Sequence, residues 1–197
     1  MIDLEQIIVR PATSSDAQDL AKLIDIAGEG IPHWLWSQNT AENRTPLEIG
    51  TERAQRESGG FSYKNAMVAE NAGRVLGMVL SYPIIEAPDE DIDSLPDPIA
   101  PFVELEMKSA GTWYINALAV FPGHRSSGLG SLLMEAVDTA ASTSGFSRLS
   151  IQVYGQNSGA ARLYKRLGFR ETARSRVRLH PVQPYYTGDV LLLEKNR

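Results

Sequence analysis

A glycine-rich turn between an apolar strand and an amphipathic helix constrains this chain more than any other feature. The pattern predicts a buried strand over residues 112–121, then a tight turn, then a helix whose apolar stripe begins at Leu129. The first N–H groups of a helix have no partner within it and lie at the positive end of its dipole. Such a turn indicates an anion site, most often for phosphate. Arg125 at its mouth is a suitable partner for phosphate oxygens.

Two common phosphate-binding motifs do not fit the turn. A Walker loop is excluded because no Gly-Lys-Ser/Thr sequence follows its glycines. A dinucleotide fingerprint needs three glycines at another spacing, early in a strand–helix–strand unit. Here only Gly128 and Gly130 follow Arg125, two-thirds along the chain. Purely structural glycines are the alternative, since glycine tolerates many backbone conformations.

The composition narrows the class of protein. The 197 residues, 43% hydrophobic and 22% charged, suffice for one buried domain. The net charge of −5 argues against a general nucleic-acid binder. The lack of cysteine removes disulfides and a catalytic thiol, and three scattered histidines indicate no metal cluster. With no signal peptide and no apolar stretch near the ~20 residues that span a bilayer, we expect a cytoplasmic protein without membrane partners.

Strand and helix signals alternate along the chain. The pattern predicts strands over residues 6–10, 66–70, 75–82, 112–121, 148–154, 169–179 and 186–193. It predicts helices over residues 17–27, from 45 to near 59, from 129 onward, and over 157–167. Capping boxes are expected at Thr13–Asp16 and Thr45–Glu48. With no repeat and no dividing linker, this order predicts one α/β (α+β) domain over residues 1–197.

Two segments outside these elements have distinctive compositions. Residues 30–36, which include Trp34 and Trp36, are predicted to form an aromatic loop or short turn. Residues 83–111 are rich in Pro, Asp and Glu and are predicted to form a long acidic surface loop, with a helical turn around residues 102–105.

A second motif begins at Asn157, 27 residues after Gly130. The two motifs together are Arg125-x-x-Gly128-x-Gly130 and Asn157-x-x-Ala160-x-x-Leu163-Tyr164-x-x-x-Gly168-Phe169. They resemble the GNAT superfamily of acetyl-CoA-dependent N-acetyltransferases. The resemblance extends to the strand order and implies a single domain with a central, mixed, mostly antiparallel sheet of about seven strands flanked by helices. Residues 28–60 and 83–111 carry no match.

The resemblance implies acetyl-CoA as co-substrate. Backbone N–H groups of the turn would hold its pyrophosphate, and the strand before the turn would pair with the pantetheine arm through main-chain hydrogen bonds. The cofactor-binding residues implied in this way are Leu118, Ala119, Val120, Arg125, Ser126, Ser127, Gly128, Leu129, Gly130, Ser131 and Asn157. Plain core burial is the alternative for Leu118 and Val120.

Tyr164 stands where the family places a tyrosine that acts as general acid. Attack of an amine on the thioester expels a thiolate of pKa about 8.5, and a phenol of pKa about 10 can hydrogen-bond to that sulfur and protonate it. The alternative is that Tyr164 packs in the core between helix and sheet. Asn157 is expected to cap its helix, and by resemblance it also bonds the cofactor.

The general base is less clear from the sequence. Some family members use a glutamate on one of two strands, where this chain has Tyr114 and Asn116 on the first and Gln152 on the second. Three options follow. Glu104 or Glu106 reaches in from the acidic segment, or Tyr114 orients a water that carries the proton, or the amine loses its proton to solvent.

The acceptor site is expected around Trp34, Glu104 and Asn116. By strand alternation Asn116 shares a face with Tyr114, and ordinary sheet packing is the alternative for both. The acidic segment could attract a cationic amine or simply be a solvated loop. Trp34 could stack on the substrate or pack two helices together, and His33 is a weaker candidate for substrate contact.

These observations predict an N-acetyltransferase that moves the acetyl group of acetyl-CoA to a primary amine of a small molecule or peptide by direct attack on the thioester. One alternative is a catalytically weak or inactive acyl-CoA-binding module with a regulatory role. Another is a nucleotide- or phosphate-binding protein of a different kind. The family is often dimeric through its last strands, and a homodimer would place Tyr185 and Tyr186 at such an edge.

Overall fold

The computed structural model describes residues 3–38, 43–180 and 186–197. Its seven strands are β1 (Ile8–Pro11), β2 (Ala66–Asn71), β3 (Arg74–Ile84), β4 (Thr112–Val120), β5 (Arg148–Tyr154), β6 (Arg170–Arg176) and β7 (Asp189–Asn196). They form one sheet in the order β1-β2-β3-β4-β5-β7-β6. β4 and β5 pair in parallel, whereas β1–β2, β2–β3, β5–β7 and β6–β7 are antiparallel. The predicted mixed, mostly antiparallel sheet is confirmed.

Six α-helices flank the strands. They are α1 (Ala17–Ala27), α2 (Ile31–Ser37), α3 (Pro46–Gln55), α4 (Ala100–Met107), α5 (Leu129–Thr143) and α6 (Ser158–Arg166). The chain divides into two compact units: unit 1 comprises residues 1–81 and 116–137, and unit 2 comprises residues 82–115 and 138–197. The boundary passes through β4 and α5, so each of these elements contributes to both units.

In unit 1, α1 begins as its sequence predicts. Asp16 accepts hydrogen bonds from the backbone N–H (2.7 Å) and the hydroxyl (3.0 Å) of Thr13, which forms the expected capping box. Arg10 of β1 bonds both Asp16 oxygens (2.8 and 2.9 Å) and Glu70 of β2 (2.6 Å), and so ties the start of α1 to the strands. The apolar stripe of α1 is buried through Ala17, Leu20, Ala21, Leu23 and Ile24.

The prediction of a loop or turn over residues 30–36 is wrong, because these residues form most of α2. Gly30 adopts a left-handed conformation (φ 88°) that ends the preceding turn, and a proline then occupies the first turn of the helix. Trp36 is 4% exposed and packs on α3, where a Cβ added at Gly50 would lie 2.5 Å from the indole ring. This contact holds the short helix in place.

In unit 2, the acidic segment is more ordered than its composition predicts. Residues 100–107 form α4, two turns long, rather than a surface loop with one helical turn. Ala100, Pro101 and Leu105 are buried, and α4 packs on β6 and β7. The remainder of the segment, from Ile85 to Ile99, carries only a short 3-10 turn at Ile92–Ser94.

The C-terminal strands of unit 2 pair as expected. β6 and β7 are antiparallel, and β7 also pairs with β5 from Val190 to Asn196. Tyr186, just before β7, stacks its ring on that of Tyr154, with centroids 4.2 Å apart. Tyr185, predicted at a dimer edge, lies outside the described residues.

Candidate active site

The glycine-rich turn lies in unit 1 between β4 and α5. A 3-10 turn at Pro122–His124 follows the strand, and the helix begins at Leu129. Ser126 and Gly128 both have positive φ, at 59° and 91°. At Gly128 an added Cβ would also lie 3.0 Å from the side chain of Leu4. The left-handed conformation explains why glycine suits this position.

The turn presents a run of backbone donors. Within the described part of the chain, no acceptor is found for the N–H groups of Ser126, Ser127, Gly128, Leu129 and Gly130, whereas the N–H of Ser131 bonds the carbonyl of Gly128 (3.0 Å). Five neighbouring donors at a helix N-terminus are the arrangement that binds phosphate oxygens. The geometry of the turn therefore fits a pyrophosphate group.

Side chains of the turn fold onto its backbone. Arg125 is exposed, and its Nε donates to the carbonyl of Val120 (3.2 Å) at the end of β4. Ser127 donates its hydroxyl to the carbonyl of His124 (2.5 Å). Since a guanidinium carries five N–H donors, Arg125 keeps donors for an anion while it braces the strand end.

The strand leading into the turn alternates in burial. Ala117 and Ala119 are buried, whereas Asn116, Leu118 and Val120 are half-exposed. The alternation places Asn116, Leu118 and Val120 on one face of the strand, and the side chains of Leu118 and Val120 are only partly buried. On β3, a Cβ added at Gly77 would lie 2.8 Å from the carbonyl oxygen of Ala119, so the two backbones pass closely there.

The second motif lies in unit 2 and forms α6. Asn157 caps the helix as predicted, because its side-chain oxygen accepts a hydrogen bond from the N–H of Ala160 (3.1 Å). Gly168, with φ 92°, follows the helix end in the left-handed conformation typical of a C-terminal cap. The motif thus has the local structure that its residues predict.

Tyr164 is the buried residue of α6, with 5% of its surface exposed. Its ring centroid lies 6.1 Å from that of Phe169. Burial raises the pKa of Tyr164 well above that of a free phenol, and no hydrogen bond from a described residue to its hydroxyl counters the effect. The phenol is therefore protonated at neutral pH and has a proton to donate.

The two glutamates of α4 differ in environment. Glu104 bonds Lys108 (2.8 Å) and the hydroxyl of Ser175 (2.6 Å), and both contacts lower the pKa of its carboxyl. Burial raises the pKa of Glu106, and a hydrogen bond with Tyr82 offsets only part of that effect. A base for neutral pH needs a pKa raised toward 7, so the structure favours Glu106 over Glu104.

Two further contacts involve β4, β5 and the residues around α4. Tyr114 is buried, and its ring meets that of Tyr82 edge-on, with centroids 5.7 Å apart. Gln152 of β5 donates from Nε2 to the backbone carbonyl of Phe102 in α4 (3.0 Å). The sequence alone assigns no role to Tyr82 or Phe102. Tyr82 ends a predicted strand and Phe102 lies in a predicted surface loop, and neither belongs to a motif.

The N-terminal aromatic residues belong to unit 1. Trp36 is a core residue, whereas Trp34 is half-buried and His33 is exposed. The backbone N–H of His33 bonds Asp25 (2.9 Å), which fixes the start of α2. The structure adds nothing that ties Trp34 to a substrate, and its substrate role stays a prediction.

A groove, the acidic and histidine side chains, and the helix lengths are further features of the described residues. A shallow groove of about 400 Å³ lies between α1 and α3 and is lined by Gln18, Thr51 and Gln55 among others, none of them a predicted site residue. Across the described ranges, no group of three or more His, Asp or Glu side chains could hold a metal ion. In those same ranges, every helix is too short or too polar to cross a membrane.

Comparison with known proteins gives a consistent match. The model of the acetyltransferase (GNAT) family matches residues 29–169, more than half of the chain. No curated relative matches in sequence. Among solved structures, one described as an acetyltransferase has a TM-score of 0.66 at 23% identity and covers 96% of this chain and 98% of its own.

Two further solved structures have named functions. A ribosomal-protein-alanine N-acetyltransferase from Brucella melitensis has a TM-score of 0.64 at 17% identity, covering 96% of this chain and 99% of its own. The yncA protein from Salmonella typhimurium, solved with its cofactor acetyl-CoA, has a TM-score of 0.59 at 18% identity, covering 96% and 93%. At these identities the likeness establishes the fold.

Proposed function

The chain belongs to the acetyltransferase (GNAT) family, and from that premise we propose that it transfers the acetyl group of acetyl-CoA to a primary amine of a small molecule or peptide. Membership of the family confirms the predicted acyltransferase class. The observation that carries the specific proposal is the row of five backbone N–H groups from Ser126 to Gly130, for which the described residues supply no acceptor.

The turn and the strand before it would bind the co-substrate. Acetyl-CoA supplies the acetyl group as a thioester. The N–H groups of residues 126–130 and the guanidinium of Arg125 would hold its pyrophosphate. The backbone of Leu118–Val120 would pair with the amides of its pantetheine arm, and the side chain of Asn157 would contribute a further hydrogen bond.

Tyr164 would hold a proton for the departing sulfur. Its phenol stays protonated because burial raises its pKa. A thiol has a pKa of about 8.5, so a hydrogen bond from the Tyr164 hydroxyl would stabilise the thiolate as it forms. A phenol buried in this way cannot serve as the base that deprotonates the amine.

The second candidate function is an acyl-CoA-binding module with little or no turnover. It is favoured by the positions on β4 and β5 where some family members carry a glutamate base, because this chain has Asn116 and Gln152 there. The two functions differ in whether an acceptor amine is consumed.

The proposal is tested by ligand-dependent melting and by turnover. CoA at 100 times its Kd should add about 2.7 kcal/mol of stability, whereas ATP and NAD should add much less. Acetyl-CoA with a panel of primary amines should release free thiol. Stabilisation by CoA without thiol release for any amine would favour the binding module, and stabilisation by ATP or NAD alone would exclude both.

A pair of glycine variants tests the turn itself. In Gly128→Ala the alanine disfavours the left-handed conformation by about 1–2 kcal/mol, so the free turn relaxes and must return to that conformation when CoA binds, and CoA binding should weaken by about tenfold. Gly123→Ala, in the preceding 3-10 turn, meets no atom within 4 Å and is the matched control. Equal CoA affinity in the two variants would contradict the assigned phosphate site.

A further inference from the structure

Hydrogen bonds fix α4 over one face of the unit 2 strands. The hydroxyls of Thr112 and Ser150 bond each other (2.6 Å), and Thr112 also donates to the carbonyl of Ser109, just beyond α4 (2.7 Å). Two residues further along each strand, Tyr114 and Gln152 lie on this same face, because side chains alternate along a strand. The covered face therefore carries Tyr114 on β4 and Gln152 on β5.

The facing side of α4 carries Phe102 and Glu106. They are four residues apart and so lie on the same side of the helix. The carbonyl of Phe102 meets Gln152, and the carboxylate of Glu106 meets the hydroxyl of Tyr82. Since the Tyr82 and Tyr114 rings are in edge contact, these groups border one region of unit 2.

Two hydrogen-bond acceptors in this region are incompletely used. The side-chain oxygen Oε1 of Gln152 is buried and receives no hydrogen bond from any described residue. A buried acceptor without a donor is destabilising. Glu106 is a partly desolvated carboxylate with one tyrosine donor and no cation bonded to it among the described residues. Both groups can accept hydrogen bonds from N–H donors, and the Glu106 carboxylate can also pair with a positive charge.

We propose that this region is the acceptor-amine subsite, in which Glu106 removes a proton from the bound ammonium group and Gln152 Oε1 accepts a second N–H. The inference rests on the proposed acetyltransferase function and names the amine-binding half of the same site. Glu106 would be a catalytic residue, Gln152 a specificity-determining residue, and Tyr82 a positioning residue that orients the Glu106 carboxylate.

The protons balance in this arrangement. The ammonium group gives one proton to Glu106, which passes it to solvent. The nitrogen then forms its bond to the acetyl carbon while the carbon–sulfur bond breaks. Tyr164 gives its proton to the sulfur. The nitrogen releases its second proton, and that proton restores the phenol of Tyr164. The products are an N-substituted acetamide, the free thiol and one proton.

The same geometry predicts the class of amine. A primary ammonium group has three N–H bonds and can serve both acceptors, with the aromatic edges of Tyr82 and Tyr114 beside its carbon chain. A secondary amine carries an extra alkyl group in place of one donor. We therefore expect unhindered primary alkylamines to be preferred over their N-methyl derivatives.

The first experiment separates Glu106 from the general fold. In Glu106→Gln, kcat for a primary amine should fall about 100-fold or more, as for loss of a general base, and the rise of kcat/KM with pH should be lost. The ionisable groups that face Glu106 are Tyr82 and Glu90, and both stay in place. Glu86→Gln, an exposed carboxylate in the same segment, is the matched control.

The second experiment needs no acetyl-CoA. n-Butylamine should raise the Tm of the free wild-type protein more than N-methylbutylamine does, and Glu106→Gln should abolish the rise. Gln152→Leu, which keeps the size but removes the acceptor, should raise the KM for n-butylamine about three- to tenfold and leave the pH profile unchanged.

The outcomes distinguish the two levels of the proposal. If wild-type protein neither binds CoA nor acetylates any amine, the proposed function fails. If it does both, and Glu106→Gln keeps the kcat and pH profile of Glu86→Gln, the amine subsite is overturned while the function stands. If no amine in the panel is acetylated, the Tm measurement decides. The amine subsite is overturned if n-butylamine shifts the Tm of wild type and of Glu106→Gln equally. CoA-dependent melting of each variant confirms its fold.

Discussion

Replacing Tyr164 with phenylalanine should lower activity and leave stability almost unchanged. Tyr164 is 5% exposed in unit 2, and no described residue hydrogen-bonds to its hydroxyl. The fully buried polar atoms that lack a partner do not include this hydroxyl, so it keeps contact with solvent. Its removal leaves the ring, and therefore the packing against Phe169, in place.

The magnitude follows from what the substitution removes. Since neither a hydrogen bond to a described residue nor packing is lost, Tyr164→Phe should change the free energy of unfolding by about 0.5 kcal/mol or less. For a chain of 197 residues, that corresponds to a change in Tm of about 2 °C or less. Loss of the proton donor should lower kcat for acetyl transfer by about 10²- to 10⁴-fold. CoA affinity should hardly change, since the phenol acts on the sulfur and not on the pyrophosphate.

Chemical denaturation and thiol release measure the two effects on the same preparation. Tyr164→Leu, which also removes the ring, is the control that should lose stability through a packing defect. A Tyr164→Phe protein that is less stable than wild type would show that the hydroxyl makes a bond in the native state. A protein with unchanged kcat would refute the general-acid role.

Three further predictions concern stability. Asp16→Ala should cost about 2 kcal/mol, because it removes the capping bond to Thr13 and two hydrogen bonds to Arg10, which keeps only Glu70 as an acidic partner; urea unfolding at pH 7 measures it. Arg10 lowers the pKa of Asp16, so the wild type should lose this stability as pH falls below about 4, and Asp16→Ala should not. Gly50→Ala should lower the free energy of unfolding in urea by about 1–2 kcal/mol despite better helix propensity, since the added methyl meets the Trp36 ring. Burial raises the pKa of Glu106, so the folded wild type holds a proton that the unfolded chain releases. Its stability should fall as pH rises above about 4, and Tm measured from pH 4 to 8 should fall less in Glu106→Gln.

Local signals explain which elements could be predicted from the sequence. The strand over residues 148–154 and the helix between Asn157 and Gly168 have the predicted bounds within a residue or two. The alternation of apolar residues sets the strand, and the cap and stop residues set the helix. Each of these signals acts within a few positions of the chain. The turn after β4 and the start of α5 at Leu129 were likewise predictable from the glycines.

Tertiary contacts explain what could not be predicted. α2 is a short helix that depends on the packing of Trp36 against Gly50, and α4 depends on burial of Leu105 against strands more than 60 residues later in the chain. The sequence also could not rank Glu104 against Glu106. Both belong to one acidic segment, and only the fold brings Lys108 and Ser175 to the first and burial to the second.

The bare donors of the turn after β4 also bear on the choice of solution for handling this protein. Inorganic phosphate and sulfate are compact, doubly charged oxyanions that suit N–H groups at a helix N-terminus. In phosphate buffer they would occupy the positions from Ser126 to Gly130 and compete with a nucleotide-like ligand. Affinities compared across laboratories would then differ through the buffer alone, and a zwitterionic amine-sulfonate buffer at low salt is the appropriate reference condition.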